Sequence, residues 1–432
     1  MTELGHRHSR TVKAIALLFA ANLVIAGCSD STTGSDKETP TPSQCVPDVD
    51  KAISTKLDAS AVTTALPADL VAKLDAAVQS SFKNDATPGA IVGVRTPKGT
   101  WIKAYGSSDT DTNAPMTADL HTRVGSITKT FTGTLLLQLA AQDKLSLDDP
   151  IDKYIAGVPN GDRVTLRLLS NMTSGVASYT FNKEFDEKLF GNTETVFTPT
   201  ELVAYGVAKS PLFEPGAKYD YSNTNLVLLG LVIEKVTGQP VGEVFKKQII
   251  EPLALTNTTW PNTSTELPAP YSQGYTLQGL TATPEKPANS THWNPSWMWT
   301  AGGMISGMDD LLTYGRALAT GQGLLPAPMQ TERLTSFPES PDYAYGLSLA
   351  CVDGWVGHTG ETPGYNTSLY HDTTTDTTVI VQTNSDIASG SCTESPTLAD
   401  NSTDIDCTTP STRIEVAVTE ALGHAFRPPA QK

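Results

Sequence analysis

The stretch Arg123-Val124-Gly125-Ser126-Ile127-Thr128-Lys129-Thr130-Phe131 decides how this chain is read. Beyond Ser126, apolar residues at Phe131, Leu135, Leu136 and Leu139 fall at helical spacing, which predicts a buried helix opening near the serine. A lysine three positions on then lies on the same helix face, one turn from the hydroxyl. A hydroxyl is a poor nucleophile at neutral pH without a base beside it, and a buried lysine gives up its proton more easily than a solvated one. The helix N-terminus adds partial positive charge where an oxyanion would form. The spacing proves little by itself. Ser80-Ser81-Phe82-Lys83 repeats it at the end of an amphipathic helix predicted over 69–82, where a solvated lysine is explanation enough.

On either side of this stretch the pattern changes. Upstream, 90–95 and 100–105 are strand-like runs joined by Thr96-Pro97-Lys98-Gly99, a hairpin. Downstream, helical or loop-rich sequence runs to about residue 325, strands return at 345–351, 354–359, 365–371 and 377–383, and a helical pattern at 413–426 closes the chain. The order implies an α+β fold: one antiparallel sheet formed from both chain ends, flanked by helices, with a mostly helical lobe inserted. A cleft between the two lobes is the natural place for a site.

Two further motifs carry chemistry. Tyr221-Ser222-Asn223 precedes the apolar run 226–233 and can present a phenol and an amide to one side of a loop; standing alone, it is better explained as a buried tyrosine with a helix-capping Asn. His358-Thr359-Gly360 ends a predicted strand ahead of Glu361, where glycine permits close approach of a ligand backbone and the histidine could also be a satisfied edge-strand residue. For the cluster Trp293, Trp297 and Trp299, core packing and a cleft wall both remain open, and the acidic run 109–119 reads as a solvated loop.

In this order and separation, Ser126-x-x-Lys129, Tyr221-x-Asn223 and His358-Thr359-Gly360 resemble the serine β-lactamase and penicillin-binding-protein superfamily. The likeness is to its class C β-lactamase and D-alanyl-D-alanine carboxypeptidase branch, with related esterases. Leu145-Ser146-Leu147-Asp148-Asp149-Pro150, Thr173-Ser174-Gly175 and Ala301-Gly302-Gly303-Met304 match too. The resemblance implies a β-lactamase-like fold and an acyl-enzyme at Ser126, with Lys129 and Tyr221 sharing the proton work and the choice of base open. It implies that Asn223 binds the substrate amide and Lys129, that His358 supports Tyr221, and that Thr359 and Gly360 line the substrate's carboxylate side. Backbone N–H groups of Ser126 and Glu361 would form the oxyanion hole. Histidine at 358, where many relatives have lysine, leans towards carboxypeptidases and D-stereospecific peptidases. A carboxypeptidase needs a cation for the terminal carboxylate, yet 343–365 contains no Lys or Arg, so His358, Arg123 or a distant residue must serve. The expected substrate is a D-alanyl-D-alanine peptide of the cell wall, with an ester or β-lactam, or mere binding of such ligands, as alternatives.

The N-terminus has its own logic. Basic residues Arg7, Arg10 and Lys13, an apolar run over 14–26 and then Gly27-Cys28 read as a secretory signal over 1–27, too short for a span. Ile25-Ala26-Gly27-Cys28 resembles the bacterial lipobox, which implies a lipid-anchored protein on the cell membrane facing the wall; an ordinary signal with a chance cysteine is the alternative. Residues 28–65 are expected to hold the lipid-attachment Cys28 and a disordered tether, and 66–428 the hydrolase domain. Cys45, Cys351, Cys392 and Cys407 then form an even set suited to two disulfides. The resemblance suggests Cys351 with Cys392, leaving Cys45 with Cys407. A formal charge of −16 over 432 residues, with no basic run, excludes a general nucleic-acid binder. No metal or cofactor motif is present, and the oligomeric state is not legible.

Overall fold

The computed structural model describes residues 45–338 and 343–429. The signal, Cys28 and the Ser/Thr-rich stretch after it lie outside these described residues. Strand β1 (Gly89–Thr96) is buried at every position, which requires cover on both faces of its sheet. It turns through 97–98 into β2 (Gly99–Asp109), with Thr96 opposite Gly99, and β3 (Ala114–Pro115) pairs beyond it. Two small ribbons follow: β4 (Thr122–Arg123) with β7 (Ile305–Ser306), and β5 (Tyr275–Thr276) with β6 (Ala288–Asn289). The chain then supplies β8 (Ala344–Tyr345), β9 (Ala350–Val352), β10 (Trp355–Thr362), β11 (Tyr365–Asp372) and β12 (Thr377–Thr383).

The main sheet has eight strands in the order β3-β2-β1-β12-β11-β10-β9-β8, with antiparallel neighbours. β1 pairs with β12 through Ala90 and Thr383, so the two chain ends meet inside one sheet, as the element order implied. The single strand expected over 345–351 is instead the hairpin β8–β9. Ser348, at φ 54°, turns the chain back within it.

Helices cover both faces. Ala68–Phe82 and Pro410–Leu422 pack together on one side, and Met308–Thr320 lies against β1, β11 and β12 on the other. A Cβ on Gly93 would meet Met308 Sδ at 2.4 Å, so this contact depends on a bare backbone in β1. The helix Thr128–Ala141 is buried from Thr128 to Leu139, and Phe131 stacks on Tyr314 with centroids 3.7 Å apart. The inserted lobe holds Leu166–Ser170, Lys183–Gly191, Pro199–Val207 and Asn223–Thr237, a mostly helical block as expected. Within it Thr198 and Glu201 form a reciprocal capping box.

Two expectations are corrected. Residues 45–65 are folded rather than part of a tether: the carbonyls of Ile53, within the helix Val49–Ser54, and of Thr55, just after it, accept from Gln322 and Arg316, and Thr100 donates to the Ala61 carbonyl. The disulfides are Cys45–Cys351 and Cys392–Cys407, not Cys351–Cys392 and Cys45–Cys407. The reason is topological. β9 lies beside the folded N-terminal segment, while Cys392 and Cys407 flank one loop whose ends are bridged at Ser389 and Thr408.

Peptide mapping without reduction should therefore recover a Cys45–Cys351 pair and a Cys392–Cys407 pair; a peptide joining Cys351 to Cys392 would contradict this fold. Replacing Cys45 and Cys351 together by serine should lower the unfolding free energy by about 2–5 kcal/mol in urea titrations.

Candidate active site

Gly125 is the hinge of the site. Its φ of +51° belongs to the left-handed region that glycine adopts without strain. It opens a single turn, Gly125–Ile127, that runs into the helix Thr128–Ala141, so Ser126 stands at the N-terminal end of a buried helix. A Cβ on Gly125 would sit 2.6 Å from the Glu361 nitrogen, and one on Gly360 would sit 1.9 Å from the Val124 carbonyl oxygen. The two glycines thus let β10 lie directly against the serine turn, which brings the backbone of Glu361 beside that of Ser126.

Lys129 lies one turn below. Its Nζ is 2.8 Å from Ser126 Oγ and donates to the Ala301 carbonyl at 2.7 Å. The side chain is fully buried, and that desolvation pulls the amine well below the ordinary lysine value. A neutral amine at this distance has a lone pair for the serine proton. Ala301 belongs to the short helix Trp299–Gly302, which Thr132 and Thr128 tie to the Lys129 helix through the Thr300 carbonyl and the Met304 N–H.

Tyr221 approaches from the inserted lobe. Its hydroxyl engages Ser126, its ring lies 4.9 Å (to centroid) from Lys129 Nζ, and burial raises its pKa, keeping it a neutral phenol. Asn223 opens the helix Asn223–Thr237, but its amide donates to Thr180 Oγ1 at 3.3 Å and its backbone N–H to Ser178 Oγ. The hydrogen bonds of Lys129 go to Ser126 and Ala301, while the Asn223 amide goes to Thr180.

β10 supplies the fourth wall. His358 is 4% exposed, and burial above all lowers its pKa to about 3, so the ring is neutral. Its Nε2 meets the Tyr345 hydroxyl at 3.1 Å and its Nδ1 meets the Thr359 carbonyl. Its ring lies 6.1 Å from that of Tyr221. Thr359 is half-buried at the cleft edge. Burial raises the Glu361 carboxyl well above its usual range, with the charge of Asp386 adding to the effect. Asp386 accepts from Thr276, Gln278 and the Gly364 N–H, so Glu361 is the member of the pair that keeps a proton. Arg123 offers no charge to the cleft, since it is 2% exposed and donates to the carbonyls of Thr265 and Thr291. Lys129, Tyr221, His358 and Glu361 are thus all shifted towards their uncharged forms, with Asp386 the ionised member of its pair.

Sequence reading missed Tyr345, which lay inside a presumed strand, and Asp386; the tyrosine ahead of His358-Thr359-Gly360 was the available signal. Trp297 and Trp299 are core residues, Trp299 against Gly230, while Trp293 is half-buried beside Phe190.

A family model described as Beta-lactamase matches residues 70–398. The putative penicillin-binding protein PbpX of Bacillus subtilis (strain 168) is 27% identical over 293 residues, 67% of this chain and 68% of that protein. Protein flp of Staphylococcus aureus (strain N315) is 28% identical over 239 residues, 54% of this chain but 47% of flp, so the match spans about half of that relative. Among solved structures, a D-stereospecific amidohydrolase from Streptomyces sp. is 37% identical with a TM-score of 0.67, covering 73% of this chain and 94% of that one. The D-amino acid amidase of Ochrobactrum anthropi SV3 complexed with L-phenylalanine amide, 23% identical with a TM-score of 0.71 over 82% and 99% of the two chains, shares the fold.

The depressed Lys129 pKa has a signed consequence for folding. The unfolded lysine takes up its proton near pH 10.4, about its ordinary value, while the folded one resists until its lowered value, so stability present above that ordinary value is lost as pH falls. Lys129→Met removes this loss. Its unfolding free energy relative to wild type should rise as pH falls from about 9 to about 6 in urea titrations; a pH-independent difference would mean an ordinary, protonated lysine.

Proposed function

The chain belongs to the β-lactamase family, and on that footing we propose that it is an acyl-enzyme serine hydrolase acting on amides and esters of D-amino acids. The observation that carries this reading is the neutral cleft built on Lys129 Nζ, 2.8 Å from Ser126 Oγ. Lys129 is the better candidate for the base, since its amine is held uncharged while burial disfavours the Tyr221 phenolate. In this reading the serine proton passes to Lys129 as Oγ bonds to the carbonyl carbon. The oxyanion settles between the N–H groups of Ser126 and Glu361, donors typically worth ~3 kcal/mol each. Tyr221 relays the proton to the leaving amine or alcohol as the C–N or C–O bond breaks, and water hydrolyses the acyl-enzyme by the reverse path.

A neutral leaving group suits a cleft in which His358 is uncharged and Arg123 is committed to backbone carbonyls. The D-stereospecific amidohydrolase likeness, at 37% identity, supports amide chemistry at a D-centre. Removal of terminal D-alanine from wall peptides is the second reading, favoured by the likeness to a putative penicillin-binding protein. The proposal includes export and a lipid anchor at Cys28, supported by the leader sequence and by two disulfides, which suit an oxidising compartment.

A fluorescent penicillin or fluorophosphonate should label the wild type and not Ser126→Ala. D-alanine amide and D-alanine methyl ester should be turned over faster than a peptide ending in D-alanyl-D-alanine. Peptide turnover without amide or ester turnover would transfer the assignment to the carboxypeptidase reading. No label and no turnover on any of the three would remove the hydrolase reading altogether.

A further inference from the structure

Both ring nitrogens of His358 are committed. The Thr359 carbonyl oxygen beside Nδ1 can only accept, so Nδ1 carries the hydrogen. In a neutral imidazole the other nitrogen is then an acceptor, and the Tyr345 hydroxyl, 3.1 Å away, donates to Nε2. Tyr345 is 3% exposed, and its ring stands edge-on to both His358 (centroids 5.6 Å, 89°) and Tyr221 (6.2 Å, 88°). One phenol thus touches the histidine by hydrogen bond and the tyrosine by packing, from a strand that carries no other group of the site.

We infer that Tyr345 is a positioning residue: by occupying His358 Nε2 it removes the one competing base from the cleft, leaving Lys129 alone to take the Ser126 proton and the Tyr221 hydroxyl directed at Ser126. This rests on the hydrolase reading for its kinetic consequence but not for its structural one. An unoccupied Nε2 would present a lone pair to the Tyr221 hydroxyl, whose ring is 6.1 Å from the imidazole. It would also accept a proton from solvent more readily. The groups that face His358 are Lys129 from the helix Thr128–Ala141, Tyr221 from the inserted lobe and Tyr345 from β8. Burial opposes its protonation most, and Tyr345 opposes it further by holding Nε2 as an acceptor.

Tyr345→Phe deletes the hydroxyl and keeps the ring; Tyr345→Leu, which loses both, controls for packing. With ¹⁵N-labelled histidine, and His358→Asn to assign the signals, long-range ¹H–¹⁵N spectra should show wild-type His358 as the Nδ1–H tautomer. That ring should not titrate between about pH 5 and 8. In Tyr345→Phe the Nε2 signal should shift and a titration should enter that range. On an ester substrate kcat should fall roughly tenfold with KM within about twofold, and the acid limb of kcat/KM should move to higher pH. Tyr345→Leu should lower the melting temperature more than Tyr345→Phe does. An Nε2–H tautomer in the wild type, or an Nε2 signal and titration unchanged in Tyr345→Phe, overturns the inference. The spectra are read on the resting protein, so they decide it even if no substrate is turned over.

Discussion

The removal of one amine from water underlies the rest of this structure. Lys129 cannot be buried without a means of staying uncharged, because an unpaired ammonium in a protein interior costs several kcal/mol. Among the described residues no carboxylate forms an ion pair with it; the Ala301 carbonyl and the Ser126 hydroxyl satisfy it, which suits a neutral amine better than a cation. That solution needs a helix buried on every side, a second short helix turned so that a carbonyl points inward, and a sheet edge pressed against the first turn. Each of these is present, and each is locked by contacts that a single methyl group would break, such as those at Gly125, Gly360 and Gly230.

Neutrality then spreads outward. Burial lowers His358 to about 3, raises Tyr221, and raises Glu361, so these groups around Ser126 rest in their uncharged forms. A cleft of this kind does not attract a charged substrate end by Coulomb force. It stabilises charge that appears during reaction, where fixed N–H groups in a dry setting act most strongly. On this physical ground amide and ester substrates are proposed ahead of carboxylate-terminated peptides.

What the sequence could reveal was what is encoded locally. Ser126 and Lys129 share one helical turn, Tyr221 and Asn223 sit at the start of another, and His358 ends a strand; side-chain direction within a single element follows from residue spacing. The sheet built from both chain ends was legible for the same reason, since hairpin turns and the helical block between them are written in order along the chain. Contacts between distant segments were not. The disulfide partners depend on which part of the sheet residue 45 reaches, and the Asn223 amide finds its partner in Thr180, a residue remote in sequence. Tyr345 was hidden by a reversal at Ser348, a residue whose positive φ no propensity rule anticipates.

The Cys45–Cys351 bond has a mechanical meaning. The described chain begins at Cys45 and is bonded there to β9, which pairs with β8, the strand of Tyr345, and with β10, the strand of His358. A pull on the preceding residues therefore does not have to pass through the short helix Val49–Ser54, which could unravel under load. It enters the sheet at β9, directly beside the pair β10–β11, through a covalent link, and is resisted by a ladder of hydrogen bonds acting together. Whatever the first residues are fastened to, the cleft is carried by its own framework, and its orientation is set at a rigid edge instead of through a loose leash.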